Sequence, residues 1–261
     1  MVADFLTRGW VRFAFDPLVA DWAAQALRAG RLAVKDPAFA HWHVCQGTWF
    51  VGVDALDNDS KGRVAGSAPL SGTAIDFITR YIDPMPDLHR AQVSVVYPGY
   101  PQPRDGESPA SFTYRAHRDA AHLDGVTPLG PDRRRMIEEP HAFILGLPLT
   151  KASDGAAPLV VWQGSHKIMR RALLDALSGH DPSNWDQVDL TEPYQQARRV
   201  VFDSCPRVKL PASPGQAVLL HRHTLHGVAA WGDGASAGPD GRMIAYFRPA
   251  LPGGAAAWLA R

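Results

Sequence analysis

The sequence predicts a mainly β protein with helices, its antiparallel sheets packed as a sandwich or jelly roll. Three observations predict it. Glycine (23) and proline (22) make up about 17% of the 261 residues, against a usual total near 12%, which favours many short elements and turns. From Ala91 onward, short β-type runs alternate with Gly/Pro turns. Few helices separate those runs, so neighbouring strands need no long crossovers and pair antiparallel.

The elements follow in order. Asp16-Pro17 reads as a cap and a first-turn proline, opening a helix in which Leu18, Trp22, Ala23 and Leu27 recur at helical spacing up to Gly30. Thr48 to Val53 reads as a strand. A second helix is expected from Ser71 to Ile82, with Ile75, Ile78 and Ile82 on one stripe before Asp83-Pro84. Residues 1–90 are thus expected to be mainly helical support, and residues 91–251 the β core. The core strands expected are Ala91–Tyr97, Ser111–His117, Ala142–Leu147, Leu159–Trp162, Val218–His223 and Met243–Phe247. One helix interrupts them, beginning near Ser165 and carrying Ile168, Leu173, Leu174 and Leu177. With no internal repeat, low-complexity tract or long linker, residues 1–261 are expected to form a single domain.

Composition excludes several classes of function. Lys plus Arg (27) nearly balance Asp plus Glu (26), so the formal charge of +1 gives no basic stripe for nucleic acid. Cys45 and Cys205 are too few for a disulfide framework and lack C-x-x-C spacing. No apolar run approaches the roughly 18 residues of a membrane helix. Met1 to Phe15 carries Asp4, Arg8 and Arg12, which does not suit a signal peptide. A soluble, cytoplasmic globular protein is expected, without nucleic-acid or membrane partners.

Histidines carry the chemistry. Two H-x-D triplets stand almost back to back, His117-Arg118-Asp119 and His122-Leu123-Asp124. On a strand, residues i and i+2 share a face, so either triplet can aim two ligand atoms at one metal. The third piece is Gly215 to Gly227, a glycine turn and apolar strand ending in His221, His223 and His226-Gly227. Two histidines and one carboxylate make the facial triad of non-haem Fe(II) oxygenases, which leaves positions open for co-substrate and oxygen.

With Ala157-Pro158-Leu159-Val160-Val161-Trp162-Gln163-Gly164-Ser165-His166-Lys167 and Arg242-Met243-Ile244-Ala245-Tyr246-Phe247 in the same order, the chain resembles the phytanoyl-CoA dioxygenase family of Fe(II)/2-oxoglutarate-dependent oxygenases. The resemblance spans Ala91 to Leu251 and keeps the Gly-Ser-His-Lys core, with Gln163 and Ala157 in place of the family's proline and glycine. It implies a double-stranded β-helix (jelly roll, cupin-like) core buttressed by N-terminal helices. It also implies an Fe(II)- and 2-oxoglutarate-dependent dioxygenase that hydroxylates a small-molecule substrate with O2, giving succinate and CO2.

The resemblance further implies the site. His122 lies 44 residues before His166 and His117 lies 49 before it; the shorter spacing is nearer the family's. Gly125 follows Asp124 directly, so His122 and Asp124 are preferred over His117 and Asp119. His226, followed by glycine, is preferred over His221 and His223 as the distal ligand. Arg242, 16 residues beyond His226, is expected to bind the far carboxylate of 2-oxoglutarate, because a guanidinium fork meets both oxygens. Arg248, on the same strand face, is the reserve. The retained carboxylate favours hydroxylation over halogenation, whereas Val228 stands where many relatives carry a small polar residue. The alternatives are a cupin-like metal-binding or small-molecule-binding protein without turnover and a zinc hydrolase, neither of which has a use for Arg242.

Other features receive structural readings. Arg133-Arg134-Arg135 with Glu138-Glu139 is expected as a solvated helix face, in preference to an anionic-substrate clamp. His166 is expected to pack the helix it opens, and His41, Trp42, His43, Trp49 and Phe50 to form core. Arg115 and Arg118 flank the metal strand and are candidates to meet a substrate carboxylate or phosphate, with nothing in the sequence to fix that role.

Overall fold

The computed structural model describes residues 1–82 and 85–260. α1 (Val2–Arg8) leads into β1 (Trp10–Phe13), followed by α2 (Pro17–Lys35), β2 (His43–Val44), β3 (Trp49–Phe50), α3 (Thr73–Tyr81) and β4 (Gln92–Val96). Next come α4 (Pro109–His117), the hairpin of β5 (Val126–Leu129) and β6 (Arg134–Ile137), then β7 (Phe143–Pro148) and β8 (Leu159–Trp162). α5 (Ser165–Leu177) and α6 (Thr191–Ser204) precede β9 (Arg207–Leu210), β10 (Ala217–His221), β11 (His226–Val228), β12 (Arg242–Phe247) and α7 (Gly254–Leu259). No described helix is long and apolar enough to cross a membrane.

Seven strands form a large antiparallel sheet in the order β1-β10-β7-β12-β4-β3-β2, and β11-β8-β9 form a small one. Alternation along the strands stacks the layers. Ile244 and Tyr246 of β12 and Val218 and Leu220 of β10 meet Leu159, Val161 and Leu210 of the small sheet between the two sheets. Met243, Ala245 and Phe247 turn the other way, onto Trp22 and Ala26 of α2 and Phe77 and Ile78 of α3. Val160 and Trp162 face outward beneath Met169 and Leu173 of α5 and Tyr194 of α6. Both faces of β7, β8 and β12 are therefore buried, which explains their continuous apolar runs. The result is a jelly roll with helices on both outer faces.

Several elements depart from the sequence reading. α2 continues past Gly30 to Lys35. A Cβ at Gly30 would sit 2.8 Å from the Met243 sulfur, so this glycine serves close helix–sheet approach, not termination. The buried stripe of α2 runs through Val19, Trp22 and Ala26, leaving Leu18 in solvent. Asp16 caps two helices at once, accepting from Leu18 N–H (2.9 Å) and Thr73 N–H (2.8 Å). The boundary expected at Asp83-Pro84 lies outside the described residues. The expected Thr48–Val53 strand shortens to Trp49–Phe50. Residues 1–90 also supply β1, β2 and β3 to the large sheet, in addition to helical support.

The largest correction is Ser111–His117, expected as a strand and found as helix α4. Ser108 caps it by accepting from Ser111 N–H (3.2 Å), and Pro109 fills the first turn. Those local signals outweigh the strand-like alternation of Phe112 and Tyr114. Arg134 and Arg135 belong to the β5–β6 hairpin, not to a helix face.

Candidate metal centre

Backbone pairing brings the preferred histidines together. His122 and His226 form an isolated antiparallel bridge and exchange both hydrogen bonds: His122 N–H to the His226 carbonyl (2.8 Å) and the reverse (3.1 Å). Their rings stand 4.5 Å apart between centroids. Gly227 permits this approach, because a Cβ there would collide with the Asp119 carbonyl, which accepts from Val228 N–H (2.8 Å). That contact is the physical reason for glycine directly after His226.

One ligand-capable atom from each of His122, Asp124 and His226 lies within 4.8 Å of the others. His122 Nδ1 donates to the Ala120 carbonyl (3.0 Å) and His226 Nδ1 to the Thr224 carbonyl (2.9 Å). Each bond fixes ring orientation and leaves Nε2 to face the carboxylate, at 3.3 Å for His122 and 3.9 Å for His226. Burial works against ionisation of Asp124, yet the hydrogen bond from His122, with His226 and Arg248 nearby, outweighs it and holds the carboxyl well below its ordinary value. Burial first, and then the neighbouring His122, pushes His226 down to about 4. Neutral pH thus leaves an ionised Asp124 and an uncharged His226, the forms that bind metal. Gly125, at φ 82°, lets the chain turn directly above the ring of Trp258 from α7, where a Cβ would come within 2.9 Å.

The other candidates lie elsewhere. His117 is at the end of α4, exposed, with Nδ1 on the Thr113 carbonyl (2.9 Å). Asp119 is held in a bidentate pair by Arg207 (2.6 and 2.7 Å). A helix end does not keep i and i+2 on one face, so the two side chains diverge. His221 closes β10 and packs on His166 and Phe5, while His223 is fully buried against Trp258. His166 packs where expected, its Nε2 on the Leu6 carbonyl (3.1 Å).

Arg242, Tyr246 and Arg248 share one face of the β12 segment but border different spaces. Arg248 enters the triad's cavity, 3.6 Å from Asp124 Oδ2. Arg242 does not line that cavity; it borders a separate narrow void with Ile244 and Leu159, and Leu159 lines both. Arg242 is buried, yet none of its three guanidinium nitrogens has a protein partner. The Tyr246 hydroxyl between them is likewise buried and unpartnered. A desolvated cation without a counter-charge is costly, so this environment is built for an anion.

The triad opens into a cavity of about 650 Å³. Trp42, Trp49, Leu123 and Val126 line it; of the aromatic patch expected as core, Phe50 is buried but His41 and His43 are exposed. Sequence reasoning missed Arg198 and preferred a solvated face for Arg135; both reach the same cavity, from α6 and β6. The four-residue spacing of Tyr194, Arg198 and Phe202 was the available signal.

On another wall, Arg115 holds Glu107 through two bonds of 2.8 and 2.7 Å. Those bonds outweigh the burial that opposes ionisation and hold the Glu107 carboxyl at about 2, against an ordinary 4.5. A carboxyl depressed in the folded state stabilises above its unfolded value and loses that contribution as pH falls through the folded one. The urea midpoint of the wild type is therefore expected to exceed that of Glu107→Gln near neutral pH. The gap should close between about pH 4.5 and pH 2. A gap independent of pH would show that the pair acts only through packing.

Comparison with known proteins adds three findings. The family model described as phytanoyl-CoA dioxygenase matches residues 100–230, half of the chain. No curated protein matches the sequence. Among solved structures, the chain is similar to the non-haem α-ketoglutarate-dependent carbocyclase SnoK from nogalamycin biosynthesis, at TM-score 0.51 and 15% identity, over 96% of this chain and 86% of that one. It is similar to EctD from S. alaskensis with bound Fe at TM-score 0.51 and 17% identity, over 94% and 73% of the respective chains. At such identities the likeness shows the shared fold.

Proposed function

The chain belongs to the phytanoyl-CoA dioxygenase family, and from that membership we propose an Fe(II)- and 2-oxoglutarate-dependent dioxygenase that hydroxylates a small-molecule substrate. The balance is substrate, 2-oxoglutarate and O2 giving hydroxylated substrate, succinate and CO2. One observation carries the assignment: two imidazoles and a carboxylate converge within 4.8 Å at the floor of a cavity. His122, Asp124 and His226 are the proposed iron ligands. This donor set fits Fe(II), since its nitrogens and oxygen occupy one side of the metal and leave positions for exogenous ligands.

When bound, iron with 2-oxoglutarate and O2 supplies the oxidising power that inserts an oxygen atom into a C–H bond. The protein's residues do the positioning. The carbonyls of Ala120 and Thr224 keep both Nε2 atoms aimed at the metal position. Arg248 steadies Asp124 from 3.6 Å. The unpartnered guanidinium of Arg242 fits the far carboxylate of 2-oxoglutarate, and Tyr246 offers a hydroxyl along the way. A general base in the protein would not be required, because inserting oxygen into a C–H bond releases no proton for a side chain to take up. The proposal includes a cytoplasmic setting, in keeping with the free thiols of Cys45 and Cys205, and neither nucleic acid nor membrane among the partners.

The test is succinate formation. Fe(II)-loaded protein is expected to convert 2-oxoglutarate slowly to succinate under air, faster when a substrate occupies the cavity. Protein that binds Fe(II) and 2-oxoglutarate without any oxygen-dependent succinate would be a binding module of the same fold.

A further inference from the structure

The cavity above the triad carries more positive charge than iron and 2-oxoglutarate use. In a chain with a formal charge of +1, seven arginines line it, against the two carboxylates of Asp124 and Glu139 among the described residues. Three of those arginines form one structure. On α6, Tyr194, Arg198 and Phe202 follow at four-residue spacing and make a stripe along the helix. Arg198 stands 5.4 Å from the Tyr194 ring and 5.3 Å from the Phe202 ring. Arg135, from β6, lies 4.4 Å from Tyr194, and Arg118, at the end of α4, lies 5.2 Å from Phe202. Three elements distant in sequence thus build a ladder of cation, ring, cation, ring, cation.

The ladder has no internal counter-charge. None of Arg118, Arg135 and Arg198 has a carboxylate within 4.0 Å among the described residues, whereas Arg115, Arg134 and Arg207 nearby are all paired. Stacking on a ring engages the flat face of a guanidinium and leaves its in-plane N–H groups free. Few of those groups are used: Arg135 Nη1 donates to the Val126 carbonyl (3.2 Å) and Arg198 Nη2 to the Ala121 carbonyl (2.8 Å). Arg198 Nε is buried without a partner. Burial, together with repulsion from Arg198 and Arg133, disfavours the charge on Arg135. That repulsion relaxes when an anion joins the cations.

We propose that Arg118, Arg135 and Arg198 form the docking site for a phosphate-type dianion of the organic substrate, whose less polar part extends over Leu123 toward the triad. One carboxylate is satisfied by one guanidinium fork, whereas three forks suit the several oxygens of a tetrahedral dianion. The cavity, at about 650 Å³, holds a small molecule of this kind. Only the word substrate rests on the oxygenase reading; the anion site stands on the ladder.

The experiment titrates inorganic phosphate, and separately acetate, into metal-free full-length protein at constant ionic strength, with calorimetric detection. Saturable phosphate binding at least about tenfold tighter than acetate binding is expected. Arg198→Gln and Arg118→Gln should each weaken it by about tenfold or more, one charge-assisted contact each. Arg118→Gln matters most, since Arg118 makes no backbone hydrogen bond in the ladder and its loss leaves no carbonyl unpaired. Arg171→Gln, on the exposed face of α5, should leave phosphate binding unchanged. Absence of saturable phosphate binding, equal binding of acetate, or equal loss in Arg171→Gln would overturn the proposal. Without metal or 2-oxoglutarate in the cell, a negative result leaves the oxygenase reading intact. Protein that binds phosphate but neither Fe(II) nor 2-oxoglutarate would sink that reading and keep this one.

Discussion

Replacing His226 with alanine is expected to abolish metal binding. His226 is one of the three proposed donors, and its side chain is only 9% exposed, so no mobile side chain or bulk water replaces it readily. Losses of groups that merely orient metal ligands already weaken binding by about 10- to 100-fold, and loss of a ligand should exceed that. Asp124→Ala should behave alike. His221→Ala removes an imidazole five residues away that packs on His166 and Phe5, outside the triad. It should lower stability and spare metal affinity. Titration with Mn(II) or Ni(II), which stand in for Fe(II) without its oxygen chemistry, measures both, with circular dichroism reporting the fold. Asp119→Ala provides the contrast for the carboxylate, because Asp119 is committed to Arg207. Undiminished binding in His226→Ala, or equal loss in His221→Ala, would refute the ligand assignment.

The second large effect is expected at Arg242. A charge-assisted, two-point contact to a carboxylate in a dry pocket is worth about 1.5–3 kcal/mol or more. At about 1.4 kcal/mol per tenfold, Arg242→Met should weaken 2-oxoglutarate binding at least about tenfold while leaving metal affinity alone. Arg242→Lys should recover part of the loss, since an ammonium keeps charge without the fork. The same substitution should have an opposite effect on stability. All three nitrogens of Arg242 are buried without partners, so methionine should raise the urea midpoint of protein free of 2-oxoglutarate. Arg248→Met should show the reverse selectivity, disturbing metal binding first, because Arg248 lies 3.6 Å from Asp124. Loss of 2-oxoglutarate affinity in Arg248→Met alone would transfer the carboxylate role to Arg248. Titrating 2-oxoglutarate into the metal-loaded variants by calorimetry reads out all of these.

By itself, the sequence determined what is local or strictly periodic. β4, β7, β8 and β12 lie close to where their apolar runs and turns predict them, because burial on both faces leaves an unmistakable hydrophobic signature, and α5 does so because its apolar residues recur at helical spacing on its one buried face. The pairing of His122 with Asp124, the His226-Gly227 step and the Gly-Ser-His-Lys turn were likewise legible, since each is a short motif with its own backbone requirement. Tertiary structure alone decided the rest. Whether Asp119 or Asp124 faces the cavity depends on Arg207, 88 residues away in sequence. That Arg248 lines the triad's cavity while Arg242 borders a separate void follows from how β12 crosses the interior between two sheets. The sequence leaves an anionic partner open for Arg118 and Arg135 separately; that they join Arg198 in one structure appears only when α4, β6 and α6 converge on Tyr194 and Phe202. Sequence periodicity reports which face of an element is apolar; which charges lose water together is fixed only when distant elements pack, because desolvation is a property of the assembled cavity.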